Sequence, residues 1–167
     1  MRFPLLPAMM TDRLTDLTPG YLQSQGIKLL MLDFDNTVVP YTTDVPTEEM
    51  AAWLREMMDS EIRLCVVSNS RKDRVKRFCA AYGIPCITHA KKPFSKGIRQ
   101  CLKQFGLPKE ACALAGDQIF TDTLGANCAG IRPILVKAIH NHTFLLKLRH
   151  GFEMPFIWMA KNRRITK

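Results

Sequence analysis

The chain alternates short apolar segments with segments of helical periodicity, and this alternation limits the folds that it can adopt. The apolar segments, each the length of a strand, are residues 27–32, 62–67, 84–88, 111–116 and 133–136. Between the first two, the helical spacing i, i+3, i+4, i+7 is occupied by Met50, Trp53, Leu54 and Met57. Strands that alternate with helices pair in parallel through right-handed crossovers. The sequence therefore predicts an α/β fold with a doubly wound (Rossmann-like) parallel five-stranded sheet.

Chain length and motif spacing predict the domain organisation. With 167 residues, the chain is expected to form a single domain that spans residues 1–167. Its core is expected at about residues 25–140, followed by a basic, apolar C-terminal tail, residues 141–167. One helix and one strand fill the 35 positions from Asp33 to Ser68, and one helix and one strand fill the next 24 positions. No cap domain is therefore expected over the carboxyl ends of the strands.

The charge of the chain is basic and unevenly distributed. There are 24 Lys and Arg residues against 15 Asp and Glu residues, which gives a net charge of +9. Residues 71–109 have a net charge of +10, and residues 137–167 have a net charge of +6. This surplus favours an anionic partner, which could be a phosphate substrate, a nucleic acid or an acidic lipid surface. The aromatic pattern typical of single-strand binding is missing from the first segment, so no specific nucleic-acid partner is predicted.

Cysteine spacing and the first residues bear on localisation. The six cysteines form no C-x-x-C pair and carry no His at zinc spacing, so we interpret them as reduced core thiols of a cytoplasmic protein. The segment MRFPLLPAMMTDR is interrupted by Pro4 and Pro7 and does not resemble a secretory signal. No uncharged run approaches the roughly 20 residues of a membrane-spanning helix. The sequence leaves the oligomeric state open.

Chemically useful side chains follow four of the predicted strands. Asp33 and Asp35 follow the first strand, Ser68 the second, Lys92 the third and Asp117 the fourth. Ligands of doubly wound sheets bind at these carboxyl ends. Neighbouring carboxylates repel each other, and a hard cation such as Mg²⁺ relieves this repulsion while it accepts a phosphate oxygen. The sequence predicts that Asp33 and Asp117 hold Mg²⁺ together with the main-chain carbonyl of Asp35.

The same loops supply the groups that phosphoryl transfer requires. A carboxylate can act as a nucleophile and form an aspartyl-phosphate that water then hydrolyses. Asp35 is placed to protonate the leaving alkoxide and later to activate the water. The phosphoryl oxygens would be bound by Ser68, the amide of Asn69 and the ammonium of Lys92. These roles predict a phosphomonoester hydrolase.

Four segments carry a resemblance to a known family. In chain order, and each at a strand end, DFDNT, VVSNS, AKKP and GDQIFTD resemble the motifs of the haloacid dehalogenase superfamily of phosphatases. The longer segments DFDNTVVP, HAKKP and GDQIFTDTLGAN resemble the YqeG family of subclass IIIA, over about residues 12–153. The resemblance implies a haloacid dehalogenase fold without a cap domain and an enzyme that depends on Mg²⁺.

Carried over position by position, the resemblance implies a role for each motif residue. Asp33 is expected to be the nucleophile and Asp35 the general acid and base. The expected phosphate ligands are Thr37, Ser68, Asn69 and Lys92. The expected metal ligands are Asp33, Asp35 and Asp117. Asp122 is expected to lie behind these ligands, where it can orient Lys92.

The resemblance also suggests a substrate. The YqeG family is similar to mitochondrial phosphatidylglycerophosphate phosphatase, which implies conversion of phosphatidylglycerophosphate to phosphatidylglycerol. A site without a cap suits such a large or surface-bound lipid phosphate. It would also suit a phosphatase for nucleotides, nucleic-acid ends or phosphoproteins. A non-enzymatic protein that binds nucleic acid or the ribosome ranks last.

The C-terminal tail combines apolar and basic residues. Four apolar residues precede the PFIWM segment at residues 155–159: Phe144, Leu145, Leu148 and Phe152. Four basic residues follow it: Lys161, Arg163, Arg164 and Lys167. This combination is typical of a segment in a membrane interface. We expect Phe156, Ile157 and Trp158 to insert into an anionic membrane, with the protein peripheral on the inner face of the cell membrane. The alternative is a helix docked on the sheet.

Overall fold

A six-stranded parallel sheet forms the centre of the structure, a computed structural model that describes residues 4–71, 73–139 and 144–165. In chain order the strands are β1 (Met9–Thr11), β2 (Leu29–Leu32), β3 (Arg63–Val67), β4 (Cys86–Ile87), β5 (Cys112–Gly116) and β6 (Arg132–Val136). Their order across the sheet is β1-β6-β5-β2-β3-β4. Because β2 lies between β5 and β3, the loops that follow these three strands are neighbours.

Helices connect the strands at boundaries that local sequence explains. In the described part of the chain they are α1 (Pro19–Ser24), α2 (Glu48–Met58), α3 (Asp73–Tyr82), α4 (Lys96–Phe105), α5 (Leu124–Ala129) and α6 (Phe144–Met159). At the start of α2, the main-chain N–H of Met50 donates to the hydroxyl of Thr47 at 3.2 Å. Helix α4 ends at Gly106, whose φ of 63° is a left-handed conformation that glycine adopts without strain.

The two faces of the sheet bury alternate residues of each strand. Leu30 and Leu32 of β2 pack on one side with residues of α2 and α3. Leu29 and Met31 pack on the other side with residues of α4 and α5. Cover on both faces explains why the sequence of β2 is apolar throughout rather than alternating.

Strand β1 was missed by the sequence analysis. It lies at the edge of the sheet and pairs in parallel with β6, with Met9 opposite Ile134 and Thr11 opposite Val136. Three residues are too few to show a periodicity that distinguishes a strand from a loop. The predicted parallel α/β fold is confirmed, with six strands in place of five.

The N-terminal segment is part of the packed core. Leu14, Leu17 and Leu22 are buried in the same apolar cluster as Trp53 of α2. The indole N–H of Trp53 donates to the main-chain carbonyl of Leu17 at 2.9 Å. The apolar core therefore includes residues that precede residue 25.

The described residues between β2 and β4 form α2, β3, α3 and their connecting loops, and they include no further domain. The expectation of a sheet without a cap domain is confirmed. No helix in the described parts of the chain is long and apolar enough to cross a bilayer. Five of the six cysteines are buried or half-buried, whereas Cys128 is exposed, contrary to the expectation of a core thiol.

Helix α6 docks on the sheet. Phe156 and Ile157 pack against Met10 of β1 and Leu135 of β6, and Ala160 is fully buried in the same cluster. The main-chain N–H of Ile165 donates to the carbonyl of Met10 at 2.8 Å. The docked alternative is therefore the correct one for this part of the tail.

The expected membrane insertion of Phe156 and Ile157 is wrong, because both side chains contact the core. Trp158 points away from it and is 75% exposed. Within the predicted tail, residues 141–143 and 166–167 lie outside the described residues, as do the side chains of residues 144–150.

The two tryptophans provide a test of this packing. We expect Trp53→Phe to lower the free energy of unfolding by about 2 kcal/mol, because the carbonyl of Leu17 loses its donor and the core loses volume. Trp158→Phe should change it by less than about 0.5 kcal/mol, as is usual for exposed positions. Urea unfolding followed by circular dichroism measures both. Equal losses for the two variants would contradict the packing described here.

Candidate active site

The loops after β2, β3 and β5 form one crevice at the carboxyl edge of the sheet. Asp33 follows β2, Ser68 follows β3 and Asp117 follows β5, so the strand order brings the three residues together. The crevice has a volume of ≈ 390 Å³ and is lined by Asp33, Asp35, Tyr41, Ser68, Asn69, Ser70, Arg71, Lys92, Gln118 and Thr121. Asp33, Asp35, Ser68, Asn69 and Lys92, predicted from separate motifs, therefore share one site.

The DFDNT segment directs both of its carboxylates into the crevice. Phe34 is fully buried in the core, so Asp33 and Asp35, one residue to either side of it, point the opposite way. Asn36 then adopts a φ of 62°, a left-handed conformation that Asn tolerates better than most residues. Its main-chain N–H donates to the carbonyl of Val39 at 2.7 Å, which closes a tight turn.

Lys92 is buried between two carboxylates. Its Nζ lies 2.6 Å from Oδ1 of Asp33 and 2.7 Å from Oδ1 of Asp122. Burial alone would lower the pKa of Lys92, but the neighbouring carboxylates of Asp122 and Asp33 raise it above its usual value. Lys92 therefore stays an ammonium inside the protein.

Asn69 fixes the main chain at Lys92. The side-chain amide of Asn69 donates to the carbonyl of Lys92 at 2.9 Å, and its Oδ1 accepts the main-chain N–H of Lys92 at 2.7 Å. This reciprocal pair aligns the loop after β3 with the loop that carries Lys92. The side chain of Asn69 is thus occupied in positioning Lys92, and phosphate binding by Asn69 stays a prediction.

Three buried carboxylates form a cluster beside this ion pair. Asp33, Asp117 and Asp122 each offer an oxygen, and these oxygens lie within 4.8 Å of one another. Lys92 balances part of their charge, and a hard divalent cation with a preference for oxygen ligands would balance the rest. The residues present therefore fit such a cation. Asp35 was also predicted to be a metal ligand, but its carboxylate is not part of this cluster of three.

The pKa of Asp33 shows the cost of this crowding. Burial, aided by the carboxylates of Asp122 and Asp35, raises the pKa of Asp33 to about 7 despite the lowering effect of Lys92. A cation at the cluster would favour the charged form of Asp33. Metal binding and ionisation of Asp33 should therefore reinforce each other.

Asp35 is held apart from the cluster by Arg74 of α3. The guanidinium of Arg74 lies 3.4 Å from Oδ1 of Asp35 and 5.1 Å from the ring centre of Phe34. It also donates to the main-chain carbonyls of Pro40, Tyr41 and Thr43 at 2.7–3.0 Å. Arg74 therefore fixes both Asp35 and the loop that follows the DFDNT turn.

The two predicted hydroxyl ligands differ in position. Ser68 is 1% exposed and lines the crevice, and its Oγ accepts the main-chain N–H of Ser70 at 3.1 Å. Thr37 is equally buried but is not among the residues that line the crevice. Among the described residues, its hydroxyl has no hydrogen-bond partner.

Comparison with known proteins agrees with this site. Residues 20–130 match the sequence profile of the haloacid dehalogenase-like hydrolases. The chain belongs to this family. It is 36% identical over 159 residues to the probable phosphatase YqeG of Bacillus subtilis (strain 168), which covers 95% of this chain and 92% of that protein. These matches confirm the predicted haloacid dehalogenase superfamily and the predicted likeness to YqeG. They also confirm the predicted enzyme class, a phosphatase.

Solved structures share the haloacid dehalogenase-like fold. An uncharacterized protein from Listeria monocytogenes serotype 4b superposes with a TM-score of 0.56 at 18% identity, covering 71% of this chain and 84% of that one. The cobalt-bound deoxy-D-mannose-octulosonate 8-phosphate phosphatase of Haemophilus influenzae superposes with a TM-score of 0.52 at 14% identity, covering 82% and 91%. At such identities these likenesses concern the fold alone.

Several residues of the haloacid dehalogenase-like site were missed by the sequence analysis. They are Arg74 and the crevice residues Tyr41, Arg71, Gln118 and Thr121. Arg74 lies among other basic residues of an amphipathic helix, where the pattern indicates a solvated face. Gln118 and Thr121, by contrast, lie inside the GDQIFTD motif, whose internal positions could have been considered.

Gly116 makes room for the carboxylate of Asp122. A Cβ at Gly116 would lie 2.4 Å from Cγ and Oδ2 of Asp122, which is too close for any side chain. The short turn holds Asp122 in place, because its main-chain N–H donates to the carbonyl of Gln118 at 2.9 Å. The glycine in GDQIFTD is thus required by the position of the last aspartate of the motif.

We therefore expect Gly116→Ala to displace Asp122 from Lys92 and from the carboxylate cluster. Divalent-cation affinity should fall at least about tenfold, the usual effect of disturbing a supporting residue. The free energy of unfolding should fall by about 1–3 kcal/mol from overpacking. Calorimetric titration with MgCl₂ and urea unfolding measure the two effects. Gly20→Ala is the control, since a Cβ there meets nothing within 4 Å; similar behaviour of both variants would contradict the steric role.

Proposed function

We propose that this haloacid dehalogenase-like hydrolase is a Mg²⁺-dependent phosphomonoesterase with Asp33 as the nucleophile. The observation that carries the proposal is the buried ammonium of Lys92, which lies 2.6 Å from Asp33 at the edge of a cluster of three carboxylates. Such an arrangement holds a carboxylate ready for attack and provides a positive charge for the phosphoryl oxygens. The name of the Bacillus subtilis relative supports the same chemistry.

In the proposed first step, a carboxylate oxygen of Asp33 attacks the phosphorus atom and the bond to the ester oxygen breaks. Asp35 donates a proton to the departing alkoxide. In the second step Asp35 takes a proton from water, whose oxygen attacks the phosphorus of the aspartyl-phosphate. The carboxylate of Asp33 and inorganic phosphate are released. Arg74 keeps Asp35 at the crevice through both steps.

The remaining predicted residues complete the proposed site. Ser68, Lys92 and the main-chain N–H of Asn69 would bind phosphoryl oxygens, with Thr37 in support. The carboxylates of Asp33 and Asp117 would hold Mg²⁺, to which the DFDNT motif adds the main-chain carbonyl of Asp35. Asp122 was predicted only to orient Lys92, which it contacts at 2.7 Å, and its place in the cluster makes it a further ligand of this proposal. Bound there, Mg²⁺ would polarise the phosphate and balance the charge of the cluster.

For the substrate we propose a membrane lipid phosphate, with phosphatidylglycerophosphate as the first candidate. The absence of a cap among the described residues between β2 and β4 leaves the crevice open to a large substrate. The outward face of α6 offers a means of reaching such a substrate. This face carries four large apolar side chains that are 48–75% exposed to solvent: Phe152, Met154, Trp158 and Met159.

This outward apolar face is unusual for a surface helix. The acidic residue of α6, Glu153, is buried on the opposite side, and the exposed basic residues Lys161, Arg163 and Arg164 follow directly. Exposed apolar residues beside basic residues suit the interface of an anionic bilayer. Glu153, on the inward side, contacts the loop between Asp117 and Asp122, so α6 packs beside a loop of the site. A cytoplasmic protein, peripheral on the inner face of the cell membrane, is the arrangement we propose.

The nucleophile assignment makes a direct prediction. Asp33→Asn preserves shape but removes the attacking charge and one metal ligand, so turnover of any phosphate ester should fall at least about 1,000-fold. Removal of Mg²⁺ by chelation should abolish turnover of the wild type. Phosphate release measures both, and Asp59→Asn, at an exposed helix end, is the control. Near-normal turnover by Asp33→Asn would rule out the proposed mechanism.

The lipid assignment predicts a separation of two activities. Changing Trp158 and Met159 to Ser together should weaken binding to phosphatidylglycerol-containing vesicles at least about tenfold, since each large apolar side chain contributes about 1.5–3 kcal/mol when buried. Hydrolysis of phosphatidylglycerophosphate in vesicles should fall with it, whereas hydrolysis of p-nitrophenyl phosphate should not change.

Vesicle sedimentation and phosphate release measure these effects, with Met58→Ser as the control because Met58 is 40% exposed at the end of α2. Unchanged vesicle binding would remove the membrane role. Preferential hydrolysis of a nucleotide, a nucleic-acid end or a phosphopeptide over the lipid would favour the alternative substrates.

A further inference from the structure

Glu153 is a buried carboxylate that the proposed reaction does not use. It is 2% exposed and is the one acidic residue in the sequence of residues 137–167. Removing a carboxylate from water is costly unless hydrogen bonds compensate. Its position on the inward side of a helix whose outward side is apolar indicates a specific task for the charged group.

One hydrogen bond of Glu153 reaches the loop that carries Asp117 and Asp122. Its Oε1 accepts the main-chain N–H of Ile119 at 2.9 Å, and Ile119 is itself fully buried. Ile119 begins a single π-helical turn, Ile119–Thr123, whose first N–H groups have no partner within the turn. A carboxylate at this end of a helical turn is favoured by both hydrogen bonding and the local dipole.

Neighbouring contacts show that both α6 and the site bind this loop. The main-chain N–H of Gln118 donates to Oδ2 of Asp122 at 3.1 Å, so two successive N–H groups are bound by two carboxylates. Next to them, the ring of Phe120 packs edge-on against Phe156 of α6, with 6.1 Å between ring centres. The path of the chain from Asp117 to Asp122 is thus fixed by α6 as well as by Lys92.

We infer that Glu153 is a positioning residue of the catalytic site: by holding the N–H of Ile119, it sets the distance between the carboxylates of Asp117 and Asp122 and so the affinity for the divalent cation. The inference rests on the proposed function, because it assigns these carboxylates to the cation. It makes the C-terminal helix a component of the site, although the four superfamily motifs end at Asp122.

Substitutions at residue 153 test the inference in the full-length protein. Glu153→Leu removes the acceptor, and Mg²⁺ affinity measured by calorimetry should fall about 10–100-fold, with kcat falling and KM for p-nitrophenyl phosphate within about twofold of wild type. Glu153→Gln retains an acceptor oxygen and should restore affinity to within about threefold. Glu56→Leu, the same substitution at an exposed position of α2, should behave as wild type.

Amide hydrogen exchange at Ile119 provides a readout that depends on neither metal nor substrate. Exchange should accelerate in Glu153→Leu and not in Glu153→Gln. If Glu153→Leu does not fold, Glu153→Asp takes its place, since its shorter side chain cannot span the same distance and should lose affinity in the same way. Thermal stability that falls while Mg²⁺ affinity, kcat and exchange stay unchanged would overturn the inference.

Failure of this inference can be told apart from failure of the proposed function. If the wild type binds Mg²⁺ but hydrolyses no phosphate ester, the proposed function is wrong, and the affinity and exchange data still decide the role of Glu153. If Asp33→Asn abolishes turnover while all substitutions of Glu153 leave the site unchanged, the proposed function stands and the inference is wrong.

Discussion

The ion pairs of Lys92 are the interaction on which the rest of the site depends. A buried ammonium and a group of buried carboxylates would each be unstable alone, and together they hold one another at 2.6 and 2.7 Å. The pair joins Asp33 after β2 to Asp122 in the loop after β5, with Lys92 itself from the loop before α4. Its geometry therefore fixes three separate parts of the chain. The carboxylate charge that Lys92 does not balance favours binding of a cation.

Several residues serve this arrangement without reaching the chemistry. Asn69 binds the main chain at Lys92, Gly116 leaves space for Asp122, and Asn36 closes the turn after the two motif carboxylates. Arg74 keeps Asp35 away from the cluster by pairing with it at 3.4 Å. The two carboxylates of DFDNT consequently have different partners: Asp33 faces an ammonium and two further carboxylates, whereas Asp35 faces a guanidinium. Different surroundings are what different roles in one reaction require.

Helix α6 shows how a surface helix can carry two functions on opposite sides. Its inward side contributes Glu153, Phe156 and Ile157, and Ala160, directly after the helix, continues the spacing i, i+3, i+4, i+7. Its outward side contributes Trp158 and its apolar neighbours. One buried carboxylate therefore faces the protein together with apolar side chains, and further large apolar side chains lie on the outward side, where a surface helix is usually polar. Apolar side chains on both sides suit a helix whose outward side is covered by a membrane, and they explain why composition alone grouped Phe156 and Ile157 with Trp158.

The sequence by itself determined the alternating α/β fold and the residues of the motifs, because strand and helix periodicities and short spacings such as D-x-D are local properties. Sequence did not reveal β1, whose three residues gain their identity as a strand from pairing with β6. Nor did it reveal the partnership of Arg74 with Asp35, the place of Asp122 in the carboxylate cluster, or the contact of Glu153 with Ile119. Each of these joins residues far apart in the chain, so tertiary packing alone decides which charged side chains are solvated and which are buried against a partner.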